Sequence, residues 1–341
     1  MQNLTEREAT VLTAIIHAHT ESAGPIGSRT LAKQYLTEFS PATIRNTMSD
    51  LEDMGFLEKP HTSAGREPTE SGYRAYVDDF MSPPRITQRE RNILNDILKQ
   101  SMTARDADMI LGHVARALAT ISHQIGVAFL PSFDLGIFQR IELVPLAEHT
   151  VLAAIQVTGG PVRTVTLELD EAVERSVLDE TAAVLNERLA GLTVGQIRSS
   201  IAERLRDVSR GDSRVISIFL QEGREIFDLD ARTNVHMEGR PNILGYPEFA
   251  DRARLTEFMS ALDEGDLYAE VRERDVTQEI AVSIGQENRC GGLASCSLVM
   301  RGYQQGPLSG TLAIVGPMRM PYRKVVAALN HAGQLIESLL R

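Results

Sequence analysis

The chain has 341 residues, enough for two or three domains, and 43% of them are apolar, enough for real hydrophobic cores. Its formal net charge is −11, which opposes general attraction to nucleic acid and predicts that any non-specific binding to it is weak. There is no apolar run long enough to cross a bilayer and no signal-peptide pattern, so a soluble, cytoplasmic protein with no membrane partner is expected.

Thr5-Glu6-Arg7-Glu8 is a capping box that opens a first helix, with Leu12, Ile15, Ile16 and His19 on one stripe. Ser22-Ala23-Gly24-Pro25 is a turn. Ser28 is read as the cap of a second helix, with Leu31, Ala32 and Tyr35 inward and Arg29 in its first turn. A short turn over 37–39 leads to Ser40, an N-cap, and Pro41, which suits a first helical position. Ile44, Met48 and Leu51 then form a buried stripe. Ala42, Asn46 and Ser49 point the other way, flanked by Thr43 and Arg45. The acids Asp50, Glu52 and Asp53 all lie in the second half of this helix, and Gly55 supplies its stop.

The pattern then changes. Residues 56–59 are short enough for a strand, Pro60 limits that strand to an edge, Ser63-Ala64-Gly65 is a turn, and residues 66–69 return. Three helices followed by a hairpin make a winged helix-turn-helix. A recognition helix touches bases mainly near its N-terminus, where Arg reads guanine or holds phosphate and Asn pairs with adenine. Thr43, Arg45 and Asn46 are therefore the expected base or phosphate contacts. Ser28, Arg29, Ser40, His61, Thr62, Ser63 and Arg66 are expected to position the protein on double-stranded DNA. A surface hairpin without a partner is the alternative, and its place directly after such a helix favours the wing.

Residues 1–81 carry seven Lys/Arg against twelve Asp/Glu, which opposes DNA binding. The expectation that meets this objection is a cluster of Arg29, Lys33, Arg45, Lys59, Arg66 and Arg74 on one face, with binding that is markedly salt-sensitive.

Thr69 caps a further helix with an aromatic stripe of Tyr73, Tyr76 and Phe80, and Ser82-Pro83-Pro84 reads as a linker. Thr87-Gln88-Arg89-Glu90 opens another helix, and one more runs from about 106 to 123. Strand patterns follow at 126–130, 138–146, 151–158 and 162–169, the last two joined through Gly159-Gly160-Pro161. Helical periodicity returns near Asp170, with three helices to Phe227 and a short strand at 235–237. A helix starting at Pro247 and running to about Leu262 is expected next, then strands at 279–284, 294–303 and 310–316, and a closing helix over 322–340. The fold class is α+β. Strands in two blocks around a mostly helical block suggest one α+β domain with an insertion of about a hundred residues, although three consecutive domains fit as well.

Cys290 and Cys296 have neither metal-site nor disulfide spacing and are expected as buried or half-buried thiols. There is no P-loop, dinucleotide fingerprint, HExxH or zinc spacing, so neither a cofactor nor a metal is expected, and an enzyme is the minority reading.

The stretch PHTSAGREPT followed by GYRAYVDDF, with SPATIRNTM before it and GPIGSRTLA upstream, resembles the bacterial heat-inducible transcription repressors, the HrcA family. Weaker similarity continues through Pro247-Glu248-Phe249 and residues 316–322. Gly24, Glu67 and Tyr246 depart from the family pattern, which usually has an acid, an apolar residue and Asn there. The resemblance implies a winged-helix domain with linker over 1–84. It also implies a GAF-like domain in two parts, 85–170 and 276–341, split by an inserted dimerising domain over 171–275. It further implies a homodimer on an inverted-repeat operator upstream of chaperone genes, kept in its DNA-binding form by a chaperonin of the GroEL class. A small-molecule ligand in the GAF-like domain is the alternative mode of control.

Overall fold

The computed structural model describes residues 4–61, 65–101, 107–132, 136–158, 162–227, 235–263, 266–272, 274, 279–305 and 308–339. The elements in chain order are α1 (Glu6–Ser22), α2 (Ser28–Gln34), α3 (Pro41–Asp53), β1 (Leu57–Glu58), β2 (Glu67–Pro68), α4 (Glu70–Ala75), α5 (Gln88–Ser101), α6 (Ala107–Ser122), β3 (Ile125–Ser132), β4 (Phe138–Ala147), β5 (Thr150–Val157) and β6 (Arg163–Glu168). They continue with α7 (Arg175–Leu189), α8 (Val194–Leu205), α9 (Ser213–Ile226), β7 (Val235–Glu238), α10 (Arg252–Asp263), α11 (Asp266–Arg272), β8 (Ile280–Ile284), β9 (Cys296–Gln305), β10 (Leu308–Pro317) and α12 (Tyr322–Leu339). The chain divides into two compact units, one of residues 1–129, 236–303 and 311–338, the other chiefly of residues 130–235.

In the first unit the N-terminal helices form for local reasons. Thr5 and Glu8 close their capping box, the Thr5 amide donating to the Glu8 carboxylate at 2.7 Å. Leu12, Ile15, Leu31, Ile44, Met48 and Leu51 are fully buried and join α1, α2 and α3. Beyond α3, Gly55 at φ +81° provides the left-handed residue that releases the chain into the hairpin. β1 and β2 pair antiparallel, Leu57 opposite Pro68 and Glu58 opposite Glu67. A second tie fixes the hairpin's base, where Ile26 and Arg66 exchange both backbone hydrogen bonds at 2.9 and 3.0 Å. Gly65 sits against the backbone of Ile26, where a Cβ would collide with the carbonyl. Thr69 caps α4, which passes into a five-residue π-helical turn, Tyr76–Phe80, that helical periodicity does not announce. The cap of α2 differs from expectation: Gly27 holds that position, and Ser28 is the first helical residue, only 7% exposed.

The rest of this unit is a five-stranded sheet in the order β7-β3-β10-β9-β8. Gly126 of β3 lies against the backbone of α6, and Gly333 of α12 lies against Arg301 of β9, so both helices pack closely on this sheet. Tyr303 crosses under the sheet and donates to the Phe129 carbonyl at 2.8 Å. The expected helix from Pro247 is interrupted. Pro247–Phe249 is a single 3₁₀ turn, and α10 starts only at Arg252. Phe249 is buried with its ring 4.8 Å from that of Phe258, so packing takes the place of helix continuity there. Cys296 is buried and Cys290 half-buried, both as free thiols.

The second unit carries the three-stranded antiparallel sheet β4-β5-β6. Phe138, Ile141, Ile155 and Leu167 of the sheet share one core with Leu185 of α7, Ile197 of α8, and Phe219 and Phe227 at α9. Asn186 of α7 clamps β4, accepting from the Ile141 amide at 2.8 Å and donating to its carbonyl at 3.0 Å. These strands do not join the sheet of β3, which corrects the expected division. The strands of 138–168 belong with the helices that follow, and the compact units change over at 130 and 235 rather than at 170 and 275. The apolar faces of β4–β6 are covered by α7–α9, and that pairing across sequence decides the grouping. The turn at 159–161 lies outside the described residues.

Candidate nucleic-acid interface

The geometry of α3 separates two faces. Ile44, Thr47, Met48 and Leu51 are buried, while Ala42, Arg45 and Asn46 are exposed. Ser40 caps the helix, its Oγ accepting from the Thr43 amide at 3.1 Å and lying 2.9 Å from the Thr43 hydroxyl. The first turn holds no acid, so the positive end of the helix faces outward without a competing carboxylate. Thr47 is the buried position that apolar spacing missed. Its hydroxyl donates back to the Thr43 carbonyl at 3.2 Å, which lets a polar residue enter the core.

Arg29 is exposed in the first turn of α2, and His61 is exposed in the hairpin; Thr62 and Ser63 lie outside the described residues. Arg66 is elsewhere than the hairpin tip. Its guanidinium binds Glu52 near the end of α3, with Nε donating at 2.7 Å and Nη2 at 2.6 Å, and its side chain is 11% exposed. It therefore braces the hairpin against α3. Glu52, one of the acids outside the expected contact surface, is the anchor of that brace.

The expected cluster of six cations is smaller in the fold. Lys59 lies 3.9 Å from Glu52, and Arg66 is held by the same carboxylate. Arg74 points away to Glu287 and Asp78 and donates to the Val282 carbonyl at 2.8 Å. Arg29, Lys33 and Arg45 are left without an ion pair among the described residues. Three of the six expected cations are thus held by acids, and the objection raised by the acidic balance stands for them. Glu67 adds to the opposing side. It stands opposite Glu58 in the hairpin register, and burial, then Glu58, raises its pKa.

The three helices and the hairpin are fastened to the remainder of their unit by contacts between residues far apart in sequence. Arg319 donates to both oxygens of Glu248 and to the Thr20 carbonyl at 3.1 Å, and its guanidinium lies 5.1 Å from the centre of the Tyr246 ring. Tyr246 in turn donates to the His123 carbonyl at 3.0 Å and accepts from Gln124 at 2.6 Å. His19 at the end of α1 shares a 2.7 Å hydrogen bond with the Tyr73 hydroxyl. Burial, reinforced by Arg319, brings the His19 pKa down to about 4 from an ordinary 6.5. The folded protein thus holds a neutral ring that the unfolded chain would protonate first. Its stabilising contribution is complete above pH 6.5 and is lost as pH falls from 6.5 toward 4. We expect the unfolding free energy to drop by roughly 1–2 kcal/mol from this group between pH 7 and 4, the ring keeping some contact with solvent. Urea titrations across that range should show the slope, and His19→Gln should flatten it; an unchanged slope would remove His19 from the account.

Among the described residues no helix is long and apolar enough to cross a membrane, and no group of His, Cys, Asp and Glu could hold a metal ion.

Comparison with known proteins adds the family. Residues 108–326 match the model of the HrcA protein C terminal domain. The chain is 33% identical to a heat-inducible transcription repressor HrcA of Halalkalibacterium halodurans, covering 99% of this chain and 98% of the relative. It is 34% identical to that of Geobacter sulfurreducens, over 100% and 99%, and 36% identical to that of Chlorobaculum tepidum, over 99% and 98%. Among solved structures, a hypothetical protein superposes with a TM-score of 0.57 at 22% identity over 99% of each chain, a likeness of fold. The class defined by these relatives is that of transcription repressors. The chain belongs to the HrcA family of heat-inducible repressors.

Proposed function

We propose that the protein represses chaperone genes by binding an inverted-repeat operator as a homodimer, with α1–α3 and the hairpin as a winged-helix reading head. The observation that carries this is the division of α3 into a buried stripe and an outward face. That face carries Arg45 and Asn46, short side chains beside them, and no acid in the first turn. Short side chains let the helix backbone approach the floor of a major groove. Arg45 and Asn46 then read base edges or hold phosphate, with Thr43 beside them. Arg29, Ser40 and His61, with Thr62 and Ser63, hold the phosphate backbone. Arg66 serves this surface by fixing the hairpin, and Ser28, buried at the start of α2, serves it by setting that helix.

Dimerisation is assigned to the second unit, whose sheet and loops leave Ile137, Leu146 and Val162 exposed. Two-fold symmetry would then place two copies of α3 in successive major grooves about 34–36 Å apart. The remainder of the first unit is a GAF-like body. Through it, on the family pattern, a GroEL-type chaperonin keeps the repressor in its DNA-binding form. Unfolded clients that occupy the chaperonin relieve repression, since a helper that binds one form shifts the balance between forms.

The fragment 1–84 tests the assignment. It lacks the second unit, and also lacks Arg319, Glu287 and Tyr322, against which α1 and α4 pack. We expect a monomer that binds the operator poorly. A tight dimer by sedimentation would move the dimer contact into the N-terminal helices.

A further inference from the structure

A cavity of about 470 Å³ opens within the first unit, between the end of α1, the segment before α5 and the start of α12. Its walls are mostly apolar, formed by Ile16 and the Tyr76 ring on one side and by Met320 and Pro321 on the other. The volume falls in the range of small-molecule sites, which typically combine apolar walls with a few convergent polar groups.

The polar groups at this cavity are unequal in charge. Lys324 and Glu90 answer each other at 3.4 Å, and Thr87 also donates to Glu90. Glu21 accepts the Tyr35 hydroxyl at 2.5 Å. The His17 ring and the Tyr76 hydroxyl share a hydrogen bond at 3.1 Å. Two guanidiniums remain, against the one Glu21 carboxylate, whose charge the neutral Tyr35 hydroxyl does not cancel. Arg323 donates only to the Pro83 carbonyl at 3.2 Å, and neither it nor Arg85 has a carboxylate partner among the described residues. Arg323 also stands in the first turn of α12, an eighteen-residue helix whose N-terminal end adds positive potential to the same mouth.

We propose that this cavity binds a small organic acid with an apolar body. The carboxylate sits between Arg85 and Arg323 at the start of α12, and the hydrocarbon part lies along Ile16, Tyr76 and Met320. A neutral apolar ligand would gain nothing from the two guanidiniums, which solvent already reaches. A polyanion would place charge against the Met320–Pro321 wall and near Glu21. A monocarboxylate satisfies both parts of the lining, because a carboxylate accepts from guanidinium in bidentate geometry. Such a ligand touches α1, the segment leading to α5 and α12 together, and so stabilises their mutual packing. This inference does not depend on operator recognition.

The test is calorimetric titration of the full chain with benzoate and with octanoate, using benzyl alcohol and 1-octanol as uncharged controls. Saturable binding of at least one acid, at least tenfold tighter than its alcohol and weakened at least tenfold in Arg85→Gln/Arg323→Gln, is the expected result. Benzoate alone would assign an aromatic acid and octanoate alone an alkyl acid. Both arginines are exposed, so the double variant should unfold at the same temperature as the parent without ligand. If the variant unfolds earlier, Arg85→Gln alone, which removes a cation with no hydrogen bond to the fold among the described residues, replaces it with the same criterion. The proposal is overturned if neither acid binds, if an alcohol binds as tightly as its acid, or if affinity is indifferent to the arginine substitutions.

Discussion

Arg45→Ala should weaken operator binding roughly 5- to 150-fold, the equivalent of losing one charge-assisted base or phosphate contact worth about 1–3 kcal/mol. Arg45 is exposed on α3 and makes no ion pair among the described residues, so the loss should fall on DNA rather than on folding. Of the six cations expected on this surface, three have no ion pair among the described residues, so each carries a large share of the attraction. A gel-shift titration beside a urea unfolding curve separates the two effects. Weakened binding with unchanged unfolding is the expected pair. Unchanged binding would take Arg45 out of the interface.

Arg319→Met should cost about 2–4 kcal/mol of folding stability. The arginine side chain is 9% exposed and its partner Glu248 31% exposed, so removing the cation strands a half-buried carboxylate. The Thr20 carbonyl loses its donor at the same time, and Tyr246 loses the guanidinium packed on its face. Methionine keeps most of the volume, which confines the loss to the polar contacts. Urea unfolding should show the deficit, and adding Glu248→Gln to Arg319→Met should recover part of it. A cost below about 1 kcal/mol would mean that this junction contributes little to holding α1 in place.

The N-terminal region was legible in the sequence because its determinants are local. The caps at Thr5, Ser40 and Thr69 each act within three residues, and the stripe of Ile44, Met48 and Leu51 repeats at helical spacing. Gly55 marks the left-handed exit from α3 for the same reason. Ser28 misled because a serine before a helix resembles a cap even when glycine occupies the position. Other features depend on partners far along the chain. Arg66 meets Glu52 fourteen residues away, Arg319 meets Glu248 seventy-one away, and Arg74 meets Glu287 at a separation of 213. No local pattern distinguishes a cation awaiting DNA from one already paired, so the cluster of six shrank to three. The grouping of strands was lost in the same way. β5 and β6 alternate as strands with one covered face do, whereas β3, β9 and β10 are buried on both faces, but which helices cover that face is decided only by the apolar sides of α7–α9. The Tyr76–Phe80 π turn and the break after Phe249 reflect tertiary packing that overrides helical periodicity.

The central claim is that α3 reads an inverted-repeat operator. A gel-shift titration of the full chain against an inverted-repeat chaperone operator and a scrambled duplex, at two salt concentrations and with and without a GroEL-type chaperonin, tests it most directly. The account predicts selective binding that falls steeply with salt, strengthens with chaperonin and is weakened by Arg45→Ala. Equal binding to both duplexes in every condition, or selective binding indifferent to Arg45, Asn46 and Thr43, would contradict it.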